Sequence, residues 1–318
     1  MDMGWSGRRR GRSSLPSSDM RLRSRAGARE LGELMRSYRK KAGLTLRDLS
    51  PLVDRSLSHL HRLETGERAV TSELEFTLYL SSCGVSCREI EELINFCRDA
   101  NDGRGYWLCS NDEWMPDSLR TLIFHEANAD RVVNYQPDLI PGLLQVESYI
   151  HALFRDENHP DDVRQVRVDA RLKRQSILFG SRPGKFTFII NERALRLEVG
   201  DYRIMTEQLL AMLLVGERPN ISIRVLPANA RHRALFGGPF SFLDYDECKP
   251  LVYVQAPIDG FIIENQEKIE QYRDLLRQVV KVAFDEEESR VLIAKLADEY
   301  DRTEGHWDDA RRVADEQL

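Results

Sequence analysis

Polar side chains recur on one face of the segment from Ser56 to Thr65, at the spacing of an α-helix. Apolar Leu60 and Leu63 mark the opposite face, which we expect to be buried. The polar side chains are those of Ser58, His59, His61, Arg62 and Thr65. All of them can donate or accept hydrogen bonds, and base edges and phosphates in the major groove of DNA offer matching groups. The segment therefore predicts a helix that binds double-stranded DNA.

Two short helices joined by a tight turn must position this face. Thr45 followed by Asp48 three residues later is close to a capping-box pattern and predicts the start of the first helix. Apolar residues then recur at helical spacing and should line one buried face: Leu46, Leu49, Leu52 and Val53. The pattern breaks before Ser56, which can cap the second helix, and Gly66 supplies a stop.

The segment from Glu30 to Phe96 resembles the phage-repressor or XRE-type helix-turn-helix family. The matching positions are Leu44, Thr45, Leu49, Ser56, Ser58, Leu60, Arg62, Glu64 and Gly66. By position, the resemblance implies base contacts from Leu57, Ser58, His61 and Arg62. It implies phosphate contacts from Arg47, His59 and Thr65, with Ser56 at the start of this surface. A homodimer on a two-fold operator is a further implication, whereas a plain helical hairpin within a larger helical protein is the alternative.

Positive charge is concentrated at the amino end of the chain. Residues 1–70 hold 16 Lys and Arg against 8 Asp and Glu, although the whole chain has a net charge of −6. Phosphate attraction acts over about 10 Å at ordinary salt, so an acidic remainder does not cancel a local basic surface. We expect residues 1–28 to be a disordered basic tail, which is either an arm that follows phosphates or enters a minor groove, or an extension without a task.

The rest of the chain predicts a second, α+β domain with a small mixed sheet. We expect the helix-turn-helix domain over 29–100, a linker at 101–105, the larger domain over 106–302 and a flexible acidic tail at 303–318. Strands are predicted at 185–192, 221–227, 239–245 and 251–257. Helices are predicted at 117–128, 142–155, 161–179, 204–215, 265–284 and 286–301, and the last two should cover one face of the sheet.

This larger domain resembles the uncharacterised domain that follows XRE-type heads in many actinomycete regulators. The resemblance rests on runs such as IPGLLQVESYIHALF, FIINERALRLEVG and GGPFSFLDY. In that family a very small partner protein is often encoded nearby, in an antitoxin-like arrangement. The resemblance therefore implies a domain that senses a ligand or binds a small protein.

Some polar and turn-forming residues of the larger domain could contact such a ligand or partner. They are Pro141, Gly142, Gln145, Arg171, Arg174, Glu192 and Arg193. Pro141 and Gly142 could edge a pocket or only begin a buried helix. The arginines could bind an acidic ligand, or they could form structural ion pairs on a solvated face.

The spacing of the candidate residues does not fit the motifs of other classes of function. His125-Glu126 lacks the second histidine of a zinc protease, and we find no nucleotide-binding or nucleophile motif, so we expect no enzyme and no cofactor. Four cysteines lie within 27 residues, at positions 83, 87, 97 and 109, but without a C-x-x-C pair they fit small buried residues better than a metal site. Because no apolar run is long enough to cross a membrane, we expect a cytoplasmic protein. Two classes stay open: a transcription regulator and an antitoxin-like interaction module.

Overall fold

The computed structural model describes residues 26–70, 72–91, 93–94, 106–108, 117–155, 160–180, 184–230, 238–246, 248–256 and 260–315. Two units follow one another along the chain: short helices up to residue 94, and then helices with one mixed β-sheet. This arrangement confirms the predicted fold class. The predicted linker 101–105 lies outside the described residues.

The first unit packs its short helices around one apolar core. Its helices are α1 (Ala26–Lys41), α2 (Leu46–Val53), α3 (Leu57–Glu64), α4 (Glu73–Ser82) and α5, which covers the helical residues 87–91. Their buried side chains include Leu31, Met35, Leu49, Val53, Leu60, Leu63, Phe76, Tyr79, Leu80 and Ile90. Helices of eight residues are marginal in isolation, so this shared core stabilises them.

The caps predicted for α2 and α3 are present. Thr45 accepts a hydrogen bond from the backbone N–H of Asp48, whose carboxylate accepts one from the backbone N–H of Thr45, which completes a capping box. The Ser56 hydroxyl oxygen accepts a hydrogen bond from the backbone N–H of His59 at 3.2 Å. Gly66 has a φ of +69° and follows the end of α3, as the predicted stop requires.

Helix α1 crosses the end of α3 at very short range. A Cβ atom on Gly32 would lie 2.8 Å from the carbonyl oxygen of Glu64 and closer still to that of Leu63. A Cβ on Gly66 would lie 2.6 Å from the Cα of Arg29. Both glycines are therefore required by backbone-to-backbone contact between α1 and α3.

Two predictions for the first unit are wrong in detail. Helix α1 begins at Ala26, inside the segment 1–28 that we predicted to be disordered, and Ala26 and Ala28 are buried. Leu52 is 55% exposed, because it lies on the outer side of α2, whereas Leu49 and Val53 enter the core as expected.

The second unit alternates helices and strands. Its elements are β1 (Tyr106–Leu108), α6 (Asp117–Asn128), β2 (Arg131–Gln136), α7 (Glu147–Phe154), α8 (Asp161–Arg174), β3 (Lys185–Asn191), α9 (Glu192–Arg196), α10 (Tyr202–Val215), β4 (Ile221–Leu226), β5 (Phe240–Asp244), β6 (Leu251–Gln255), β7 (Gly260–Ile263), α11 (Gln266–Val282) and α12 (Glu286–Asp315). Short 3-10 turns at Gly142–Leu144 and Gln175–Leu178 flank α7 and α8.

Within the described residues the sheet has seven strands in the order β1-β7-β6-β5-β2-β3-β4. Strands β2, β3 and β4 are parallel, and the other pairs are antiparallel. Because side chains alternate along a strand, Phe186 and Phe188 pack on one face and Ile189 on the other. Helices α6, α10 and α12 cover the first face, and α11 covers part of the second.

The two C-terminal helices lie on opposite faces of the sheet, so the prediction that both cover one face is wrong. The chain passes from α11 to α12 around the edge strand β4. There the backbone N–H of Phe284 donates to the carbonyl oxygen of Val225 at 2.9 Å, and the backbone N–H of Val225 donates to the Ser289 hydroxyl oxygen at 2.8 Å. Arg224 adds hydrogen bonds to the carbonyl oxygens of Ala283 and Phe284.

The four predicted strands are confirmed, but β1, β2 and β7 were not predicted. The missed strand β2 occupies an internal position between β5 and β3. Its sequence, RVVNYQ, mixes polar residues into the apolar alternation. One of these, Asn134, donates a hydrogen bond to the hydroxyl oxygen of Ser241 on β5 at 2.8 Å, which compensates the burial of its amide nitrogen.

The predicted helix at 142–155 is broken in the structure. Gln145 and Val146 adopt extended backbone conformations between the first 3-10 turn and α7. The buried side chain of Gln208 stabilises the break, since it donates to the carbonyl oxygen of Leu144 and accepts from the backbone N–H of Val146. The predicted helix at 161–179 likewise becomes α8 followed by a 3-10 turn.

Helix α12 continues to Asp315, beyond the end that we predicted near residue 301, so 303–315 are helical. None of the helices in the described part of the chain is long and apolar enough to span a bilayer.

We predict that Gly32→Ala destabilises the first unit. Alanine normally stabilises a helix interior by about 1 kcal/mol relative to glycine, but here its methyl group would collide with two carbonyl oxygens of α3. Urea unfolding followed by circular dichroism should show a clear loss of stability. Gly180→Ala is the matched control, because no atom lies within 4 Å of its added Cβ. Equal effects of the two substitutions would contradict the close crossing.

Candidate functional site

The turn between α2 and α3 is held by local hydrogen bonds. Asp54 takes the left-handed conformation with a φ of 49°, which ends α2. The Ser50 hydroxyl donates to the carbonyl oxygen of Arg55 at 2.6 Å. Ser56 then starts α3, so the first turn of α3 projects from the surface.

Most residues predicted to bind DNA are exposed. The exposed members are Arg47, Ser56, Leu57, Ser58, His61 and Arg62. Thr65 is half-buried, and its hydroxyl donates to the carbonyl oxygen of His61 at 3.0 Å. The Nε of Arg62 donates to the carbonyl oxygen of Ser58 at 3.2 Å. We call Ser56, Leu57, Ser58, His61, Arg62 and Thr65 the α3 surface.

His59 is separate from this surface. Its Nε2 lies 2.8 Å from the Oε1 of Glu75, and its side chain is only 14% exposed. Arg55 approaches the same carboxylate at 3.5 Å. We predicted that His59 contacts a phosphate. In the structure its ring instead attaches α3 to α4 through Glu75.

A buried ion pair fixes the far end of α3. Arg39 donates to Glu64 through Nε and Nη2, at 2.6 and 2.7 Å, and through Nη1 to the carbonyl oxygen of Leu44 at 2.7 Å. The Tyr79 hydroxyl donates to the same carboxylate. The hydrogen bond to Glu64 raises the pKa of Arg39, and burial together with Glu64 raises the pKa of Tyr79. Arg39 therefore stays charged and Tyr79 stays neutral near neutral pH.

Sequence patterns did not single out this cluster as part of the site. Arg39 follows Leu31 and Met35 at intervals of four residues, so it stands on the buried face of α1. A charged residue at such a position signals a buried partner. The partner, Glu64, matched the family pattern but had no assigned role.

Five of the residues predicted to contact a ligand or partner do lie together in the larger unit. Arg171 donates to the side-chain oxygen of Gln145 at 2.8 Å, and Arg174 forms a bidentate pair with Glu126, with both contacts at 2.7 Å. Gln145 in turn donates to the carbonyl oxygen of Ile140. Pro141 and Gly142 adjoin this group. These hydrogen bonds are internal, so they support the structural alternative for the cluster.

Glu192 and Arg193 lie elsewhere, at the end of β3. Glu192 accepts hydrogen bonds from Arg196 and from the backbone N–H of Ala228. Its pKa is lowered by these bonds in spite of partial burial. Arg193 is exposed and pairs with Asp138. These two residues are therefore a second surface group rather than part of the first.

An open groove of about 760 Å³ lies on the sheet face that α11 covers only in part. Its floor includes Val133, Thr187 and Phe242 from neighbouring strands, and Leu276 and Val280 of α11 form a wall. Charged residues of both signs surround it: Arg131, Arg224, Asp244, Arg273, Arg277, Asp285, Glu286 and Glu287. This volume is in the range of small-molecule sites.

The cysteines of the described chain show no sign of shared chemistry. Cys83 is half-buried, and burial raises its pKa to about 11, so the thiol is protonated near neutral pH. Cys87 is exposed. Cys97 and Cys109 lie outside the described residues, and among the described residues no three metal-ligating side chains lie together.

Comparison with protein families bears on both units. A model described as a helix-turn-helix domain matches residues 30–93. A model described as a domain of unknown function, DUF5753, matches residues 119–295, which is more than half of the chain. The chain belongs to the DUF5753 family. A search of curated proteins finds no match.

The DUF5753 domain holds the first turn of α1. Ala26 donates its backbone N–H to Glu264, and the Thr121 hydroxyl donates to Glu30 at 3.2 Å. The guanidinium of Arg29 lies over the Tyr245 ring, with its Cζ 4.4 Å from the ring centroid. The Tyr245 hydroxyl is 3.3 Å from the Nδ1 of His125. We call this contact region the α1 junction.

We predict that Arg39→Met destabilises the helix-turn-helix domain by about 3–5 kcal/mol, because it leaves the Glu64 carboxylate buried without its main partner. Urea unfolding measures the change. The double variant Arg39→Met/Glu64→Leu removes both charges and should be more stable than the single variant. A single variant as stable as wild type would rule out the buried pair.

We predict that His125 makes stability depend on pH. Burial, and then the positive charge of Arg29, lower the pKa of His125 well below 6.5. Below that pH the unfolded chain binds a proton that the folded chain does not, so stability falls as pH decreases, by at most about 1.4 kcal/mol per pH unit. Unfolding free energies between pH 7.5 and 5 should fall more steeply for wild type than for His125→Asn. His151→Asn, which changes a histidine at an exposed position, is the control variant.

Proposed function

We propose that the protein is a sequence-specific DNA-binding transcriptional regulator. The α3 surface carries this proposal, because Ser58, His61 and Arg62 project together from a helix whose other face is locked into a packed core. Hydrogen-bonding side chains on a fixed helix can meet base edges in the major groove. The match to a helix-turn-helix domain supports the same function.

Individual roles follow from position on this surface. Leu57, Ser58, His61 and Arg62 face outward on α3 and are proposed to contact bases, with Leu57 suited to a thymine methyl group. Arg47, on α2, is proposed to contact a phosphate. We further propose that a homodimer binds a two-fold operator whose half-sites are one helical turn apart, about 34–36 Å.

The DUF5753 domain is proposed to sense a small ligand or a small protein partner. The groove of about 760 Å³ supports a ligand, since it combines an apolar floor with polar groups at its edges. The cluster around Gln145 and Arg171 is a weaker candidate, because its hydrogen bonds are used within the domain.

The alternative function is an antitoxin-like module that sequesters a small partner protein. One observation favours it: Leu210 and Leu214, one turn apart on α10, are 49% and 74% exposed. Neighbouring exposed leucines are more typical of a protein contact than of a free surface.

Genomic footprinting of the tagged protein tests the proposal. We expect discrete peaks over two-fold symmetric sequences, and Arg62→Ala should weaken binding by about 1–3 kcal/mol and relax sequence preference. Arg302→Ala is the matched control, because that arginine is also exposed but lies on α12 in the second unit. It should leave the peaks unchanged.

Two other outcomes would change the proposal. Peaks that survive in Arg62→Ala would show that α3 is not the recognition helix. No peaks in wild type would favour the partner-binding alternative.

A further inference from the structure

We propose that Arg29 is a positioning residue through which the DUF5753 domain sets the position of the recognition helix α3. This inference deepens the proposed function, because it supplies a route from a sensing domain to the DNA-binding surface. It rests on contacts made by both the backbone and the side chain of Arg29.

The side chain of Arg29 contacts the DUF5753 domain. Its guanidinium stacks on the Tyr245 ring, and the residue is 8% exposed. The flanking contacts of Ala26 with Glu264 and of Glu30 with Thr121 hold the same helical turn. A shift of the DUF5753 domain therefore moves the first turn of α1.

The backbone of Arg29 contacts the end of α3 in the helix-turn-helix domain. Its Cα and N atoms lie so close to Gly66 that a Cβ there would be within 2.7 Å of both. One turn later, Gly32 contacts the carbonyl groups of Leu63 and Glu64. Because α1 is one continuous helix, movement of its first turn displaces the end of α3 directly.

The junction has an unusual chemistry that makes it sensitive to small changes. Among the described residues, none of the three guanidinium nitrogens of Arg29 has a hydrogen-bond partner, and the Nε2 of His125 likewise has none. A buried charge without hydrogen bonds is costly, and stacking on an aromatic ring offsets only part of that cost. The contact thus depends strongly on the Tyr245 ring.

Strand β5 connects this junction to the groove. Phe242 and Asp244 line the groove on one face of the sheet, and the next residue, Tyr245, faces Arg29 on the other. Asp244 is also paired with Arg131, another groove residue, at 3.1 Å. Anything that displaces this end of β5 therefore changes the contact with Arg29.

Amide hydrogen exchange of the full chain tests the proposal without DNA. Tyr245→Leu removes the stacked ring, and exchange at residues 57–66 should become at least tenfold faster. Tyr245→Phe keeps the ring and should retain the wild-type rate. Tyr272→Leu makes the same change on the opposite sheet face, against Phe240, and should leave residues 57–66 unaffected.

A double-variant cycle tests the role of Arg29 itself. In an Arg29→Met background, Tyr245→Leu should no longer accelerate exchange at 57–66, since the stacked cation is gone. An undiminished effect in that background would overturn the proposal, as would equal acceleration by Tyr272→Leu. If Tyr245→Leu does not fold, Arg29→Met alone decides: a change in exchange at 57–66 supports the proposal, and wild-type exchange overturns it.

This readout is separate from the test of DNA binding. Coupling between Tyr245 and α3 could be measured even if footprinting found no operator. Conversely, a confirmed operator with no coupling would leave the proposed function intact and remove only the role of Arg29.

Discussion

The contact between α1 and the end of α3 determines the position of the whole α3 surface. An eight-residue helix has little stability of its own, so its direction must come from its surroundings. Gly32 and Gly66 allow the two backbones to touch, and the Arg39–Glu64 pair closes the same crossing with directional hydrogen bonds. His59 adds a third attachment, to α4. Helix α3 is therefore held in a fixed position relative to α1 and α4.

The DUF5753 domain uses buried polar side chains for a different purpose. Gln208 and Gln175 hydrogen-bond to backbone groups where the chain leaves helical geometry, around residues 142–146. The pair between Arg174 and Glu126 is buried beside them. Such groups stabilise an irregular segment, which explains why residues that resembled a ligand site in the sequence are bonded to one another.

Local patterns were enough to predict the helix-turn-helix unit, because its caps, turn and apolar periodicity are encoded within about twenty residues. Thr45, Ser56 and Gly66 each have their expected role. The same periodicity predicted which residues of α3 are exposed, except for His59, whose position depends on Glu75, sixteen residues away.

Features that depend on distant parts of the chain were not predictable in the same way. Strand β2 is internal in the sheet, but its polar residues are not typical of a buried strand. The burial of Asn134 is explained only by Ser241, which lies opposite it in the folded chain. The α1 junction joins Arg29 to Tyr245, more than 200 residues later. Residue spacing within one element cannot predict a contact between such distant residues. The apolar patterns of α11 and α12 likewise do not indicate which face of the sheet each helix covers.

The passage of the chain around β4 limits how this protein can assemble with others. An edge strand with unpaired backbone groups is a template for another strand. Here Val225 is already bonded on its outer side to Phe284 and Ser289, and the side chain of Arg224 holds the same connection in place. Extension of the sheet at β4 by a second copy or by a strand-forming peptide is therefore blocked, and association at this side of the domain has to proceed through helix surfaces and side chains.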